Sequence, residues 1–345
     1  MVRRILFASV AFAPLVILVH YVFHPSETVD FVLAAAALIP LAWLIGEATE
    51  HAAEHTGPGI GGFLNATFGN APELIIALLA VQDMKFEVVR GSLTGSVVGN
   101  LLLVLGFSLL FGGRGEIDRR SSFLALGLVG ATTLLLLIPS IPGWHGDPER
   151  DELVTLSIPV AVVLLVAYVV MTWYSLRRHA ALHIASDEEV EAWSLRLALV
   201  VLGLATVVTA LVAEILVASI DTFAADSGLS EFFLAAVVIA IVGNAAEHGG
   251  AVVVAARGKI KLAAEIALAS SAQVAVFLIP AVALLALLIE PLALSFRQVE
   301  IAALALSVVV TSILLADGRS SRLKGLTLIA VYVGVAYGFY SAGER

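Results

Sequence analysis

The chain has 345 residues, of which 60% are hydrophobic and 14% charged, and its net charge at pH 7 is −9. A mean hydropathy of +1.02 lies far outside the range of soluble globular proteins. The chain contains no cysteine, which excludes disulfides, thiolate metal ligands and thiol catalysis. The high hydropathy predicts a lipid bilayer as the surroundings. No basic run suited to nucleic acid is present, so we expect no nucleic-acid partner.

Long apolar runs separated by short charged connections predict transmembrane helices, because backbone polar groups in lipid must be satisfied within their own segment. The expected fold class is therefore an all-α integral membrane protein with about 11 transmembrane helices. The predicted spans are 5–23, 30–50, 61–82, 88–111, 121–139, 152–176, 193–217, 229–256, 260–289, 298–316 and 322–340. The first run follows Arg3 and Arg4 as in a signal peptide, but its length favours a retained helix over a cleaved signal.

One motif occurs twice in the chain. GNAPELIIALL at Gly69–Leu79 reappears as GNAAEHGGAVV at Gly243–Val253. Around each copy the chain divides into five spans, and this odd number makes the second repeat enter the membrane opposite to the first. The expected domains are an N-terminal helix at 1–28, a first five-helix repeat at 29–178, an acidic linker at 179–192 and a second repeat at 193–345. Inverted repeats with a site at their interface are typical of secondary transporters.

The distribution of Lys and Arg predicts the orientation of the chain. Of the 19 Lys and Arg residues, one set of connections holds all except Lys85, Arg90, Arg150, Arg297 and Arg345. We therefore expect a cytoplasmic N-terminus and, after about eleven crossings, an external C-terminus. The expected location is the inner (plasma) membrane of a prokaryote.

Each copy of the motif places an asparagine and a glutamate three residues apart, Asn70 with Glu73 and Asn244 with Glu247. Residues at this spacing share one helical face. An unpaired acid at the middle of a bilayer costs roughly 2.5–3.5 kcal/mol, so each glutamate is a candidate functional residue. Carboxylate, amide and freed backbone oxygens are the ligands that calcium prefers. Two glutamates balance one divalent cation or two protons, which makes these ions competitors for one site.

The helices that follow the two motifs also resemble each other. GSLTGSVVGNLLLVLG at Gly91–Gly106 and AEIALASSAQVAVFLIP at Ala264–Pro280 are rich in small residues. Their polar side chains are candidates for further cation ligands: Ser96, Asn100, Ser270, Ser271 and Gln273. The alternative is that these small and amide residues only allow close contact between helices.

These four segments together resemble the two signature repeats of the calcium/proton antiporter family, within the cation/calcium exchanger superfamily. The resemblance implies that Glu73 and Glu247 bind the cation and exchange the protons, with Asn70, Asn244 and Gln273 as helpers. Sodium-driven relatives typically have GTS-like sequence in the corresponding segments. The GNA form in this chain favours protons as the driving ion.

Other polar residues within predicted spans are candidates for an access path: Glu47, Glu50, His51, Glu54 and Glu214. The first four share one face at the predicted cytoplasmic end of the second span, where a polar interfacial helix end is the alternative. A salt bridge or a lipid-interface position would also explain Glu214. His248 directly follows Glu247 and is a candidate for proton relay, against the alternative of a satisfied buried histidine.

The function expected is exchange of calcium for protons by alternating access, by a transporter and not an enzyme. Calcium is the expected transported substrate, and no permanently bound cofactor is expected. Sodium or potassium coupling and manganese/proton exchange on the same fold are the alternatives, and a homo-oligomer stays open. A channel is less compatible with inverted repeats. An intramembrane metalloprotease would need a motif such as H-E-x-x-H, whereas His51–His55 is HAAEH. The acidic linker is interpreted as a solvated connection, with cation-dependent regulation as the alternative.

Overall fold

The computed structural model describes residues 7–144, 150–179 and 193–343, and at residues 57–60, 62–63, 65–66, 150–151, 173–179 and 246–248 it describes the backbone alone. Almost all of this part is helical, since only a helix satisfies backbone groups within one apolar segment. The helices are α1 (Phe7–Phe23), α2 (Glu27–Phe68), α3 (Ala71–Gln82), α4 (Phe86–Gly112), α5 (Arg119–Trp144), α6 (Arg150–His179), α7 (Leu195–Ala218), α8 (Ile220–Ser227), α9 (Glu231–Gly243), α10 (Ala245–Ala256), α11 (Ile260–Ala286), α12 (Gln298–Leu315) and α13 (Arg322–Ala342). Residues 180–192 of the predicted linker lie outside the described residues.

The expected class of all-α membrane protein is confirmed, but the count of about eleven spans is not. Eight helices in the described residues are long and apolar enough to cross a membrane, or nine if α8 and α9, which meet at an angle of 111°, form one span. Of the other predicted spans, the first corresponds to the shorter helix α1. The third and eighth are interrupted at Asn70 and Asn244, inside the repeated motif.

The predicted connection at 51–60 is a further difference. The backbone continues as one helix, α2, from Glu27 to Phe68. Residues 47–55 consist largely of Glu and Ala, which favour helix. The interruption predicted before residue 61 therefore lies at 69–70, inside the motif.

The two halves of the chain pack into each other rather than side by side. Helix α2 packs along α7, and α5 packs along α12, so equivalent helices of the predicted repeats meet. Helix α4 contacts α9, α10 and α13, while α11 contacts α3 and α6 in the reciprocal arrangement. Helices α4 and α11 are consequently the most buried spans, at 83% and 67%. The predicted repeat boundaries stay a prediction, but this packing brings both motifs to the centre of the molecule.

Connections that are predicted to share a side of the membrane contact each other. At one end, Lys85 pairs with Asp221, and Thr222 donates a hydrogen bond to Glu27. At the other end, strands β1 (Gly115–Glu116) and β2 (Arg319–Ser320) form an antiparallel ribbon. The N-terminus stays predicted to be cytoplasmic, which would place the ribbon on the cytoplasmic side.

Candidate cation site

Both copies of the motif lie where two helices are interrupted. Asn70 separates α2 from α3, and Asn244 separates α9 from α10, with similar backbone angles (φ −99°, ψ 16° and φ −90°, ψ 7°). Pro72, in the first turn of α3, cannot donate a hydrogen bond to the carbonyl of Phe68. The second copy has Ala246 at that position and makes the same interruption. The interruption is therefore common to both motifs, whereas the proline is not.

Glu73 extends from the first motif to the second. It lies in the first turn of α3 and is only 9% exposed. A Cβ atom placed on Gly243, the last residue of α9, would lie 3.2 Å from Cγ and 3.5 Å from Oε1 of Glu73. The carboxylate thus packs against the backbone just before Asn244, and the absence of a side chain on Gly243 makes that approach possible.

A chain of buried polar side chains continues from Asn244. The Asn244 Nδ2 donates to the Ser96 hydroxyl at 2.7 Å and to the Ala240 carbonyl at 3.0 Å. The Asn100 Nδ2 donates to Asn244 Oδ1 at 3.4 Å and to the Ser270 hydroxyl at 2.9 Å. Four of the predicted ligands, from α4, α11 and the second interruption, therefore meet in one hydrogen-bonded network, which we call the amide network (Ser96, Asn100, Asn244 and Ser270).

One amide oxygen within the amide network is available to bind a ligand. Asn100 is fully buried, and in the described residues its Oδ1 atom has no hydrogen-bond partner. A buried amide oxygen left in this way costs free energy unless a ligand or water satisfies it. This oxygen is therefore a candidate ligand for a cation bound at the network.

Three π-helical turns lie beside the amide network. They occupy Gly99–Val104 in α4, Leu234–Ile239 in α9 and Val274–Leu278 in α11. Such turns are rare and frequently occur at functional sites, because they rotate the side chains that follow relative to a regular α-helix. Sequence analysis did not predict them, since the apolar pattern of a π-turn differs little from that of the surrounding helix.

The structure describes the remaining candidate residues in less detail. Asn70 is buried, with 1% exposure. Gln273 is half-buried, and no hydrogen bond in the described part of the chain joins it to the amide network. The side chains of Glu247 and His248 lie outside the described residues, although their backbone belongs to α10. The residues described include no cluster of three His, Asp or Glu side chains that could hold a metal ion.

The residues predicted for an access path form a polar face on α2. His51, buried at 4% exposure, lies 3.5 Å from carboxylate oxygens of both Glu47 and Glu54, while Glu50 is exposed. The His51 ring also stacks on Trp193, with ring centroids 4.7 Å apart. The polar face is therefore in contact with the residue that follows the linker.

Two further observations concern the candidate access path, one on His55 and one on Glu214. The His55 ring nitrogen lies 2.6 Å from the Trp193 carbonyl oxygen, so both histidines of HAAEH contact Trp193. Glu214 is exposed on α7, and no ion pair is described for it in this part of the chain. Its predicted role in access stays untested.

Sequence analysis missed one fully buried acid. Glu300, at the start of α12, accepts a hydrogen bond from the Thr94 hydroxyl at 3.1 Å and another from the Arg297 backbone N–H at 2.6 Å. Its position, three residues after Arg297, is that of a helix-capping glutamate, which is the signal that could have identified it. Ser271, whose hydroxyl donates to the Val97 carbonyl at 3.3 Å, similarly joins α11 to α4. Both residues hold helices around the site.

Comparison with known proteins shows the family to which the chain belongs. Residues 27–177 and 197–341 match the family described as sodium/calcium exchanger protein. The chain is 33% identical to a Ca(2+)/H(+) antiporter of Aphanothece halophytica, over 98% of this chain and 96% of that protein. It is 35% identical to the Ca(2+)/H(+) antiporter ChaA of Bacillus subtilis, over 98% and 99% of the two chains.

The fold is also found in solved structures. The structure of native YfkE aligns with a TM-score of 0.85 at 33% identity, covering 97% of this chain and 99% of that one. The family consists of transporters and not of catalytic enzymes. A family match on both sides of the linker, relatives similar over nearly their whole length and the two motifs at the centre of the fold lead to one conclusion: the chain belongs to the sodium/calcium exchanger family and, within it, to the calcium/proton antiporters.

Proposed function

We propose that this membrane protein exchanges calcium for protons, with Glu73 and Glu247 binding either one calcium ion or protons. The observation on which the proposal depends most is the contact between the Glu73 carboxylate and Gly243, which brings the acid of one motif to the interruption of the other. Relatives named Ca(2+)/H(+) antiporters over nearly the whole chain support calcium and protons as the ions.

The ligands available suit calcium. Calcium takes six to eight oxygen ligands and accepts carboxylate, amide and backbone oxygens together. Asn70 and the backbone at the two interruptions are oxygen sources within the motifs. The Asn100 Oδ1 atom is a further source, since the Asn100 amide is hydrogen-bonded to Asn244 of the second motif. We assign Ser96 and Ser270 to positioning, because each hydroxyl accepts a hydrogen bond from an amide of the network. Gln273 stays a proposed helper without a described contact.

Charge balance at the two glutamates couples the transport of calcium to the transport of protons. A site with two ionised glutamates and no cation would place two negative charges in a region of low dielectric constant, which is costly. One calcium ion or two protons neutralise that charge, so either loaded form can be buried while the empty ionised form cannot. The protein would then change its accessible side only when loaded, which is the requirement for exchange by alternating access. His248 is proposed to assist proton exchange.

The polar face of α2 is the proposed route between the site and the cytoplasm. Glu47, Glu50 and Glu54 attract cations, and the His51 ring lies 3.5 Å from carboxylate oxygens of Glu47 and Glu54. Glu214, on the helix that packs along α2, is the corresponding candidate in the second half. An inward proton gradient would drive calcium out of the cell along this route.

The test is calcium uptake by proteoliposomes that contain the full chain under an imposed proton gradient, repeated with sodium and potassium gradients. We expect uptake with the proton gradient alone. Uptake that requires sodium or potassium would assign the driving ion to that alternative, and manganese uptake in place of calcium would change the substrate. Saturable exchange separates a carrier from a channel.

The residue test uses Glu73→Gln and Glu247→Gln, each of which removes one ionisable carboxylate. We expect calcium/proton exchange to fall to the level of empty liposomes in both variants, because neither retains the charge that balances calcium. The matched control is Glu152→Gln, since Glu152 is exposed at the start of α6. Exchange that survives in either motif variant would refute the assignment of that glutamate.

A further inference from the structure

A polar cavity lies beside the β-ribbon, at the end of the molecule opposite to the Lys85–Asp221 pair. Its volume is about 510 Å³, and its charged lining residues are Arg114, Glu116, Asp317, Arg319 and Lys324. We call it the ribbon cavity. It lies far along the chain from both motifs and has no part in the exchange mechanism proposed above.

Some of these charges neutralise each other. Lys324 Nζ donates a hydrogen bond to Asp317 Oδ1 at 2.6 Å and another to the Arg319 carbonyl at 2.7 Å. The bond from Lys324 and one from the Arg319 backbone N–H hold the pKa of Asp317 below its ordinary value, so Asp317 is ionised at neutral pH. This lysine and this aspartate therefore offset one another.

The two arginines of the ribbon cavity are not offset in this way. No ion pair is described for Arg114 or Arg319 in the part of the chain that the structure covers, and both are exposed. Glu116 lies opposite Arg319 in the ribbon register and is the remaining carboxylate of the lining. Three more exposed arginines flank the ribbon, Arg119, Arg120 and Arg322, and the one flanking carboxylate among them, Asp118, pairs with Lys261 at 3.8 Å. The region thus has an excess of guanidinium groups, which match phosphate oxygens in geometry and charge.

The backbone that positions these arginines is held by hydrogen bonds. The Ser320 hydroxyl donates to the Gly113 carbonyl at 2.7 Å and to the Gly115 carbonyl at 3.2 Å. The Ile117 N–H donates to the Gly318 carbonyl at 2.8 Å, and Gly318 adopts φ +69°, which other residues rarely do. The backbone segments that carry Arg114 and Arg319 are therefore fixed relative to each other before an anion binds.

Large apolar side chains are exposed next to the ribbon cavity. Leu323 and Leu326, in the first turns of α13, are 74% and 51% exposed, and Phe111, near the end of α4, is 56% exposed. A free phosphate ion would gain nothing from these side chains, whereas the acyl chains of a lipid would cover them. Basic cavities at helix ends on the cytoplasmic side are suited to anionic lipid headgroups.

We propose that the ribbon cavity binds the headgroup of an anionic phospholipid, with Arg114 and Arg319 contacting the phosphate and the acyl chains lying along α13 and α4. The ligand comes from the leaflet that faces the ribbon, the inner leaflet if the predicted orientation is right. The site does not depend on calcium or protons.

The test measures lipid binding by native mass spectrometry and by thermal unfolding of the full chain in neutral detergent. The probes are phosphatidylglycerol, phosphatidylcholine and inorganic phosphate. The test variant is Arg114→Gln with Arg319→Gln. The control variant is Arg196→Gln with Arg257→Gln, which removes two exposed arginines from the same predicted side but outside the cavity lining.

We expect saturable binding of phosphatidylglycerol, a higher unfolding temperature with it than with phosphatidylcholine, and affinity weaker by about tenfold or more in the test variant but not in the control. Equal binding of the two lipids by the wild-type chain would overturn the proposal, and this comparison does not depend on how the variants fold. Equal loss of phosphatidylglycerol affinity in the test and control variants would show that binding depends on general surface charge, which would overturn the proposal. Stabilisation by inorganic phosphate to the same degree would make the cavity a site for soluble anions, which also overturns it.

Discussion

The position of the Glu73 side chain depends on the lack of a side chain at Gly243, the residue that faces it. Gly243 ends α9 at the point where a Cβ atom would come within 3.2 Å of the Glu73 side chain. That distance is shorter than ordinary van der Waals contact, so an added Cβ atom would displace the Glu73 side chain by a few tenths of an ångström. Ion-binding groups lose function with displacements of about 0.5 Å. The glycine is thus a positioning residue for a glutamate in the other half of the chain.

Replacing this glycine tests the contact at the level of one atom. For Gly243→Ala we expect calcium transport with KM raised by about threefold to tenfold, because Glu73 must shift while keeping its charge. The measurement is calcium uptake against calcium concentration in proteoliposomes. The control is Gly203→Ala in α7, where an added Cβ meets nothing within 4 Å. An unchanged KM in Gly243→Ala would show that the Glu73 contact does not position the carboxylate for binding.

At the scale of elements, the two interruptions have different local sequences and the same geometry. The first has Pro72, and the second has Ala246 at the equivalent position, yet Asn70 and Asn244 adopt similar backbone angles. In the second copy the Asn244 side chain bonds to Ser96 on α4 and to the carbonyl of Ala240. Contacts with neighbouring helices therefore support the interruption where proline is lacking.

This comparison predicts that the proline is dispensable. We expect Pro72→Ala to keep at least about a third of wild-type exchange, because the second motif makes its interruption with alanine and the restored N–H adds one hydrogen-bond donor. The control is Pro159→Ala in α6, a proline inside a helix that contains neither motif. Exchange is measured in proteoliposomes. A loss of exchange to background in Pro72→Ala alone would mean that proline itself maintains the first interruption.

At the scale of the whole molecule, polar contacts gather the ends of helices from both halves. At the predicted outer end, α8 is joined to the start of α2 by two hydrogen bonds, from Thr222 to Glu27 and from Thr28 to Asp226. The same helix is joined to the connection between α3 and α4 by the Lys85–Asp221 pair. These contacts hold the predicted outer ends of the two repeats together in this structure.

The Lys85–Asp221 pair can be tested by exchanging its charges. We expect Lys85→Asp and Asp221→Lys each to lower the unfolding temperature, and the double exchange to recover most of the loss. The coupling energy should be about 0.2–1 kcal/mol, because Asp221 is 59% exposed and solvent screens the pair. The effect should shrink as salt concentration rises. A double exchange no more stable than the single variants would show that the pair contributes nothing to stability.

The membrane class, the helical fold, the two motifs and the family to which they belong can all be read from the order of the amino acids. These are readable because hydrocarbon imposes long apolar runs and penalises each acid and amide within them, so Asn70, Glu73, Asn244 and Glu247 stand out from their surroundings. The family resemblance rested on the same residues. Local sequence was sufficient to predict these features because hydrocarbon constrains each apolar segment separately.

Tertiary structure alone decided which of these residues meet. The sequence made both Asn100 and Gln273 candidate ligands, and the family resemblance implied Gln273 as a helper. In the described contacts only Asn100 joins the amide network, since a side chain's partner depends on how α4 and α11 turn against each other. The same reason applies to Gly243, whose importance lies in a contact with a residue far away in the chain. The π-turns were not readable from the sequence either, because the apolar pattern of a span does not specify where its backbone hydrogen bonding changes.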